Sequence, residues 1–285
     1  MTNKVIITGA NGFIGSHLKQ KLVREGFDVF SAVRLPKEPK DIKYELEGGL
    51  DSQLFEGSFA VIHCAYSPDG SNGNDSFTLN IDATKKLKMA CDQFGVRFIF
   101  LSTISAHEKA LSDYGRHKYY IEKNVLSKND LILKLGMVIG IGGMFERLYR
   151  TIETGRVIPL VDGGRQPIYT IDVIDVCDFI CAALQKGIVG EFVLCDQPQM
   201  TMRDFYQAIK NHSKSNSLFF SIPYYAIYPL IYVLEKLKVK IPISRENLKG
   251  LAGLREWEAS NLSSILSKNV WHLNESLVYH FSSKP

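Results

Sequence analysis

The sequence predicts a doubly wound α/β fold, a parallel sheet wrapped by helices, with a smaller mixed C-terminal region capping the sheet's carboxyl edge. Two observations carry this. Apolar runs of strand length alternate with amphipathic helical patterns through roughly the first half of the chain, and a glycine-rich turn links the first run to the first helical pattern. Strand one is expected over residues 4–8, around the apolar Val5-Ile6-Ile7, and Ile14, Leu18 and Leu22 then recur at helical spacing. Further strands are expected at 27–33, 42–46, 59–64, 97–101 and 131–135, each a short apolar run, with helices at 77–94 and 114–126 between them. Beyond Gly140 the pattern becomes irregular, with helices near 144–154 and 173–185, a strand at 191–195 and a helix from about Met202. Residues 1–140 are thus expected to form one domain, to which 166–195 partly return, and 141–285 mainly a cap over the edge where open α/β sheets bind ligands.

Composition narrows the function. The 285 residues are 45% hydrophobic and 22% charged, as a globular chain is, and the net charge of +4 is too small and too evenly spread for a nucleic-acid footprint. A small-molecule partner is expected. The five cysteines are odd in number and contain no Cys-x-x-Cys pair, which argues against a disulfide scaffold or a metal site and for a reducing, cytoplasmic setting. The N-terminus runs directly into an apolar strand with no signal-peptide pattern. Residues 215–234 carry no charge, about the length of a bilayer span, but Pro223, Pro229 and four tyrosines favour a buried or pocket-covering segment over an anchor.

Two motifs carry chemistry. In Thr8-Gly9-Ala10-Asn11-Gly12-Phe13-Ile14-Gly15, Gly9 permits the tight turn, Gly12 lets backbone approach a pyrophosphate, and Gly15 lets the helix pack closely on the sheet. Strand two ends in Ala32-Val33-Arg34 with no acid nearby, and a guanidinium suits a 2′-phosphate, so NADP(H) is favoured with NAD(H) the alternative. The second motif is Tyr114-Gly115-Arg116-His117-Lys118, whose Tyr and Lys share a helix face. A phenol titrates near pH ~10, and an adjacent ammonium is expected to lower that value toward the range of a useful acid or base. The motif follows a strand ending in the hydroxyl run Ser102-Thr103-Ile104-Ser105.

With these features the sequence resembles the extended short-chain dehydrogenase/reductase family, in particular its nucleotide-sugar epimerases, dehydratases and reductases, over nearly the whole chain. The resemblance implies a Rossmann-type sheet. Ala60-Val61-Ile62-His63-Cys64-Ala65 looks like the family's fourth strand, with Cys64 and Ala65 bordering the cofactor, and the segment 80–84 looks like its Asn-containing helix. The segment 133–140 resembles the strand and loop passing the nicotinamide, which adds Met137, although Lys134-Leu135 replaces the usual Arg-Pro. Asp175 best matches a later aspartate. The resemblance implies that Tyr114 exchanges a proton, Lys118 holds the ribose and stabilises phenolate, and Thr103 orients substrate, with Ser102 and Ser105 as fallbacks. Dimerisation through helices 77–94 and 114–126 is likewise implied.

Departures select among reactions. The Asp-Glu pair of the family's 4,6-dehydratases is Ile104-Ser105 here, so dehydration is disfavoured, and the arginine that clamps a nucleotide diphosphate is Ile168, with Arg165 a nearby substitute. Three readings stand: a nucleotide-sugar reductase or 4-epimerase, placed first; a reductase of an apolar alcohol or ketone; and a non-catalytic dinucleotide-binding sensor or structural subunit, against which intact Tyr114 and Lys118 count. His63 is read as a core imidazole, Cys177 and Cys181 as packed thiols, His107 as a loop residue that could line the substrate pocket but is expected to be solvent-exposed, and Lys85, Lys86 and Lys88 as a solvated face.

Overall fold

The computed structural model describes residues 3–69, 75–196, 200–237 and 244–282. Its centre is a seven-stranded parallel sheet. In chain order the first half runs β1 (Lys4–Thr8), α1 (Phe13–Arg24), β2 (Asp28–Val33), β3 (Asp41–Lys43), β4 (Ser58–His63), α2 (Ser76–Phe94), β5 (Arg97–Thr103), α3 (Asp113–Asn124) and β6 (Leu131–Leu135). The second half holds β7 (Met137–Ile139), α4 (Met144–Thr154), β8 (Val157–Val161), β9 (Pro167–Ile168), β10 (Thr170–Asp172), α5 (Val173–Lys186) and β11 (Gly190–Leu194). It continues through β12 (Met200–Thr201), α6 (Met202–Ser213), β13 (Leu218–Ile222), α7 (Tyr224–Lys236), α8 (Arg245–Ala252), α9 (Leu262–Leu266) and α10 (Leu273–Phe281).

The strand order β11-β6-β5-β4-β1-β2-β3 builds outward from β1 in both directions. The carboxyl ends of β1 and β4 therefore flank a switch point, the crevice where open α/β sheets bind ligands. Strands apolar on both faces explain the two layers. Val5, Ile7, Ile62, Ile99 and Leu133 pack against α1 and α5, while Ile6, Val61, Phe98, Phe100 and Ile132 point to the side of α2 and α3. A separate cluster around Phe145, Tyr149, Phe205 and Leu277 joins α4, α6 and α10.

The third strand, expected over 42–46, runs over Asp41–Lys43. It begins at Asp41, whose carboxylate accepts the Lys37 and Glu38 N–H groups at 2.8 and 2.9 Å and so closes a turn just before pairing starts. The uncharged run 215–234 divides at Pro223 into β13, which pairs in parallel with β8, and α7. Among the described residues, no helix is long and apolar enough to cross a membrane.

Lys88 corrects the expected solvated face: it is buried and paired with Asp92 and, at 3.6 Å, Asp130, while Lys85 and Lys86 remain exposed. The C-terminal segment is fastened along α5 by polar contacts. Lys268 bridges Asp175 and Asp178 at 2.8 and 2.5 Å, the Trp271 N–H donates to Asp175 at 2.8 Å, and His280 meets Asp172 at 3.0 Å. Asp175 is thus a fully buried anchor for that segment, and burial raises its carboxyl above the ordinary range.

Candidate active site

The glycine loop lies at the switch point. Gly9 has φ +68°, and a Cβ there would stand 2.9 Å from the Ala65 backbone, so only glycine allows the chain leaving β4 to cross so closely. A Cβ on Gly15 would overlap the Gly9 carbonyl, which is how α1 comes to start directly against the loop. The α1 N-terminus has no side-chain cap and no acid in its first turn, leaving its N–H groups and positive dipole end to an anion. The Phe13 ring packs against the 140–143 loop, 2.6 Å from where a Gly143 Cβ would be, while Asn11 and Gly12 are exposed and Ile14 is half-buried. Arg34 is exposed immediately after β2. This cradle fits a dinucleotide: a backbone-lined turn, an uncapped helix and no carboxylate at the close of β2.

One hydrogen-bond chain stiffens the crevice. The Thr84 hydroxyl donates to the Asn80 carbonyl at 2.7 Å, so its oxygen accepts from His63 Nε2–H at 3.2 Å. Nδ1 of His63 is then bare and accepts the Thr8 hydroxyl at 2.7 Å, whose oxygen takes the Ala65 N–H at 3.3 Å. Burial, reinforced by Lys118, lowers His63 to about 3, and it stays neutral as a core imidazole. Cys64 is pushed up to about 12 by burial, an inert thiol lining the crevice.

Lys118 projects from α3 into the protein, where Nζ donates to the Leu101 carbonyl at 2.7 Å and lies 4.3 Å from the Phe100 ring centroid and 5.9 Å from that of Tyr114. Burial lowers it to about 8. Tyr114 stands in the first turn of α3, which Ser112 caps by accepting the Gly115 N–H at 3.1 Å. Gly115 lets that turn sit on the 105–110 loop, since a Cβ would overlap the Ser105 carbonyl. The ammonium was expected to lower the Tyr114 phenol. The structure reverses the sign: desolvation of the hydroxyl, with Tyr66 beside it, raises the phenol although 38% of the residue's surface is exposed.

Tyr66 is a component the sequence did not single out. Its ring meets Tyr114 edge-on at 4.8 Å, lies 5.4 Å from Lys118 Nζ, and its hydroxyl pairs with His117 Nδ1 at 3.0 Å. The available signal was its place directly after Ala65, at the carboxyl end of a central strand.

Thr103 closes β5, its Oγ1 accepting the Ser105 N–H at 3.2 Å, so Thr103 and Ser105 share one tight turn at the sheet edge. Ser102 points elsewhere, which corrects its role as a fallback. Its hydroxyl donates to Glu122, and Glu122 pairs at 2.5 Å with Lys134, whose Nζ also donates to the Ala106 carbonyl at 2.8 Å. Lys134 further faces the Trp257 ring at 5.2 Å, and the indole N–H donates to Ile104 at 3.0 Å. His107 is buried, pairing with the Gly253 carbonyl at 2.8 Å, because the 250–257 segment lies over the loop that was expected to be exposed.

Met137 begins β7, its N–H bonded to the Tyr169 carbonyl at 2.7 Å. Arg165 is exposed beside Arg203: Arg165 Nε and Arg203 Nη2 lie 4.0 and 3.9 Å from the position of a Gly163 Cβ. Arg165 has no carboxylate partner among the described residues. Ile168, at the expected clamp position, is buried in the second-half core. The cysteines are free, and no His, Cys, Asp and Glu group suited to a metal occurs among the described residues.

Comparisons with known proteins agree with this fold. The model of the NAD dependent epimerase/dehydratase family matches residues 5–195. Ceramide reductase of Caulobacter vibrioides is 32% identical over 209 residues, 67% of this chain and 64% of that enzyme. The dTDP-4-dehydrorhamnose reductase of Mycobacterium tuberculosis is 32% identical over 106 residues, 36% of this chain and 33% of the enzyme. The chain therefore spans less than two thirds of the length of either relative. Among solved structures, MoeE5 in complex with UDP-glucuronic acid and NAD superposes with a TM-score of 0.74 at 20% identity, covering 97% of each chain.

Proposed function

The chain belongs to the NAD-dependent epimerase/dehydratase family of extended short-chain dehydrogenase/reductases, and from that premise we propose that it is a carbonyl reductase using NADP(H), with a nucleotide-linked keto-sugar as substrate. The observation that carries this reading is the Tyr114–Lys118 pair on α3, Lys118 Nζ lying 5.9 Å from the Tyr114 ring centroid, at the sheet edge that also holds the glycine loop. A phenol is a proton donor at neutral pH, and burial, which raises Tyr114, keeps it in that form. Ceramide reductase and dTDP-4-dehydrorhamnose reductase are both named as reductases, which supports the same direction.

The glycine loop from Gly9 to Gly15, with Asn11, Phe13 and Ile14, holds the pyrophosphate; Cys64, Ala65, Lys118 and Met137 border the nicotinamide riboside; Arg34 meets the 2′-phosphate. When bound, the reduced nicotinamide supplies hydride. Tyr114 gives its hydroxyl proton to the substrate's carbonyl oxygen as that oxygen gains charge. The Lys118 ammonium stabilises the phenolate left behind, and Thr103, with Ser105 in the same turn, orients the carbonyl. Arg165 and Arg203 face the diphosphate in place of the missing clamp. Residues 1–140 with part of 166–195 serve the dinucleotide and 141–285 mainly the substrate, and the protein works in the cytoplasm. A homodimer through α2 and α3 would cover Phe77, Met89 and Tyr120, which stand exposed on those helices.

Ile168, buried where the family's clamp would project, favours a second reading in which the substrate is an apolar ketone. Consumption of NADPH with keto-sugar nucleotides and with hydrophobic ketones separates the two; turnover of the ketones alone reverses the order. Arg34→Ala should weaken NADPH binding about tenfold or more, in line with losing a charge-assisted contact of about 1.5–3 kcal/mol, and leave NADH binding unchanged. Tighter NADH binding by the unmodified protein would refute the preference.

The Lys118 value predicts a pH dependence. Below about 8 the ammonium is present and supports the departing phenolate; above it, the charge is lost. Turnover should fall on the alkaline side with a midpoint near 8, measurable in a kcat profile at saturating cofactor. A flat profile through that range would remove Lys118 from the proton step.

A further inference from the structure

The uncharged run 215–234 leaves an outward surface that neither the dinucleotide site nor the core uses. In the β8–β13 pair, Leu218 is opposite Val157 and Phe220 opposite Pro159, and parallel partners point to the same face. Leu218, Phe220 and Val157 are 67%, 60% and 61% exposed, while Ile158, Leu160 and Phe219 turn inward to the second-half core. The pattern continues across Pro223 into α7. Ile227 and Ile231 are buried, yet Tyr225, Ala226, Pro229, Tyr232 and Val233 are exposed, with Leu237 just beyond, and no charge occurs in α7 before Glu235. A helix packed on one face ordinarily carries charged residues on the other; the first 11 residues of α7 carry none, and Tyr225 is 79% exposed.

The charges around this surface are basic. Arg156 precedes Val157, and its carbonyl accepts the Leu218 N–H at 2.8 Å, which sets it at one end of the strip. Lys214 is exposed just before β13, and Lys236 closes α7 with Nζ 4.9 Å from the Tyr232 ring. None of the three has a carboxylate partner among the described residues. The acids nearby are engaged: Glu153 with Arg150, Glu235 with Arg245, and Asp162 accepting the Tyr224 N–H at 2.9 Å. Lys238 and Lys240 add two more basic residues to the sequence that follows α7.

We propose that the outer face of β13 and α7 docks on an anionic lipid bilayer, with Leu218, Phe220, Tyr225 and Val233 entering the interface and Arg156, Lys214 and Lys236 meeting lipid phosphates. Aliphatic and aromatic side chains with a basic fringe and no spanning helix are the composition of an interfacial contact. Lipid phosphate satisfies the three unpaired cations, which a second copy of the same basic-fringed face would not.

Cosedimentation of the full chain with phosphatidylglycerol–phosphatidylcholine vesicles and with pure phosphatidylcholine vesicles tests this. The protein should pellet with the anionic vesicles, less so at high salt, and stay largely in solution with the neutral ones. Leu218→Ser combined with Phe220→Ser and Tyr225→Ser should reduce the bound fraction at least about tenfold. Their exposure predicts an unchanged fold, checked by circular dichroism, and unchanged NADPH binding. Arg156→Gln with Lys214→Gln and Lys236→Gln should remove the salt dependence. Absence of pelleting, or patch variants that pellet like the unmodified protein, would overturn the proposal. So would patch variants that convert a dimer to a monomer, since the occupant would then be a second copy. Tyr114→Phe should retain vesicle binding, so failure of the catalytic reading leaves this result separate.

Discussion

Tyr114→Phe is expected to lower kcat by about 10²–10⁴-fold, the usual contribution of a positioned general acid, while NADPH binding is retained. The ring keeps its edge-on contact with Tyr66, so the substitution removes the hydroxyl and little else. The neighbouring proton carriers are engaged elsewhere: Tyr66 is raised to about 12 by burial and its hydroxyl is held by His117, Cys64 is a neutral thiol, the Nε2–H of the neutral His63 donates to Thr84, and the Lys118 ammonium donates to the Leu101 carbonyl. Single-turnover measurement after mixing with NADPH and substrate isolates the chemical step. An unchanged rate would mean that the proton comes from elsewhere.

Lys134→Ala should destabilise the protein by about 3–5 kcal/mol, because it leaves the buried Glu122 carboxylate without its cation. Ser102 would still donate to Glu122, but one neutral hydrogen bond does not replace a buried ammonium. The sign with pH follows from Glu122. Burial already raises it above the ordinary 4.5, so the folded state binds the proton more tightly than the unfolded chain and this group's contribution to stability falls as pH rises. Losing Lys134 raises it further. The deficit should be largest near neutrality and shrink as the pH falls toward 4.5 and below, where the raised Glu122 carboxyl becomes protonated in the folded protein with or without Lys134. Denaturant unfolding at several pH values would show this, and replacing both partners (Lys134→Met with Glu122→Leu) should recover most of the loss. Activity should also suffer, since Lys134 holds the Ala106 carbonyl in the turn that carries Thr103 and Ser105.

The sheet and the glycine loop were legible because their determinants are local: apolar runs at strand length, glycines at fixed spacing, and Tyr and Lys one turn apart. What the sequence hid depended on partners far along the chain. His107 reads as an exposed loop residue until Gly253 arrives 146 positions later, and Lys88 reads as solvated until Asp130 is brought beneath it. Ser102 and Thr103 are neighbours in sequence, but alternation along β5 sends Ser102 to Glu122 and leaves Thr103 at the turn. The Tyr114 phenol was misjudged for a related reason. Spacing gave the ammonium's proximity, but burial of the hydroxyl and, after it, the neighbouring Tyr66 raise the phenol, and neither can be read from the spacing.

Carbonyl reduction with a proton from Tyr114 can be followed by mixing the protein with NADPH deuterated at its transferable position and a keto-sugar nucleotide, and tracking cofactor oxidation and the isotope in the product together. One deuterium should appear on the new carbinol carbon for each NADPH oxidised, and Tyr114→Phe should slow both changes by about 10²–10⁴-fold. Product formed without net NADPH oxidation would indicate epimerisation, and full turnover by Tyr114→Phe would contradict the assignment of the proton donor.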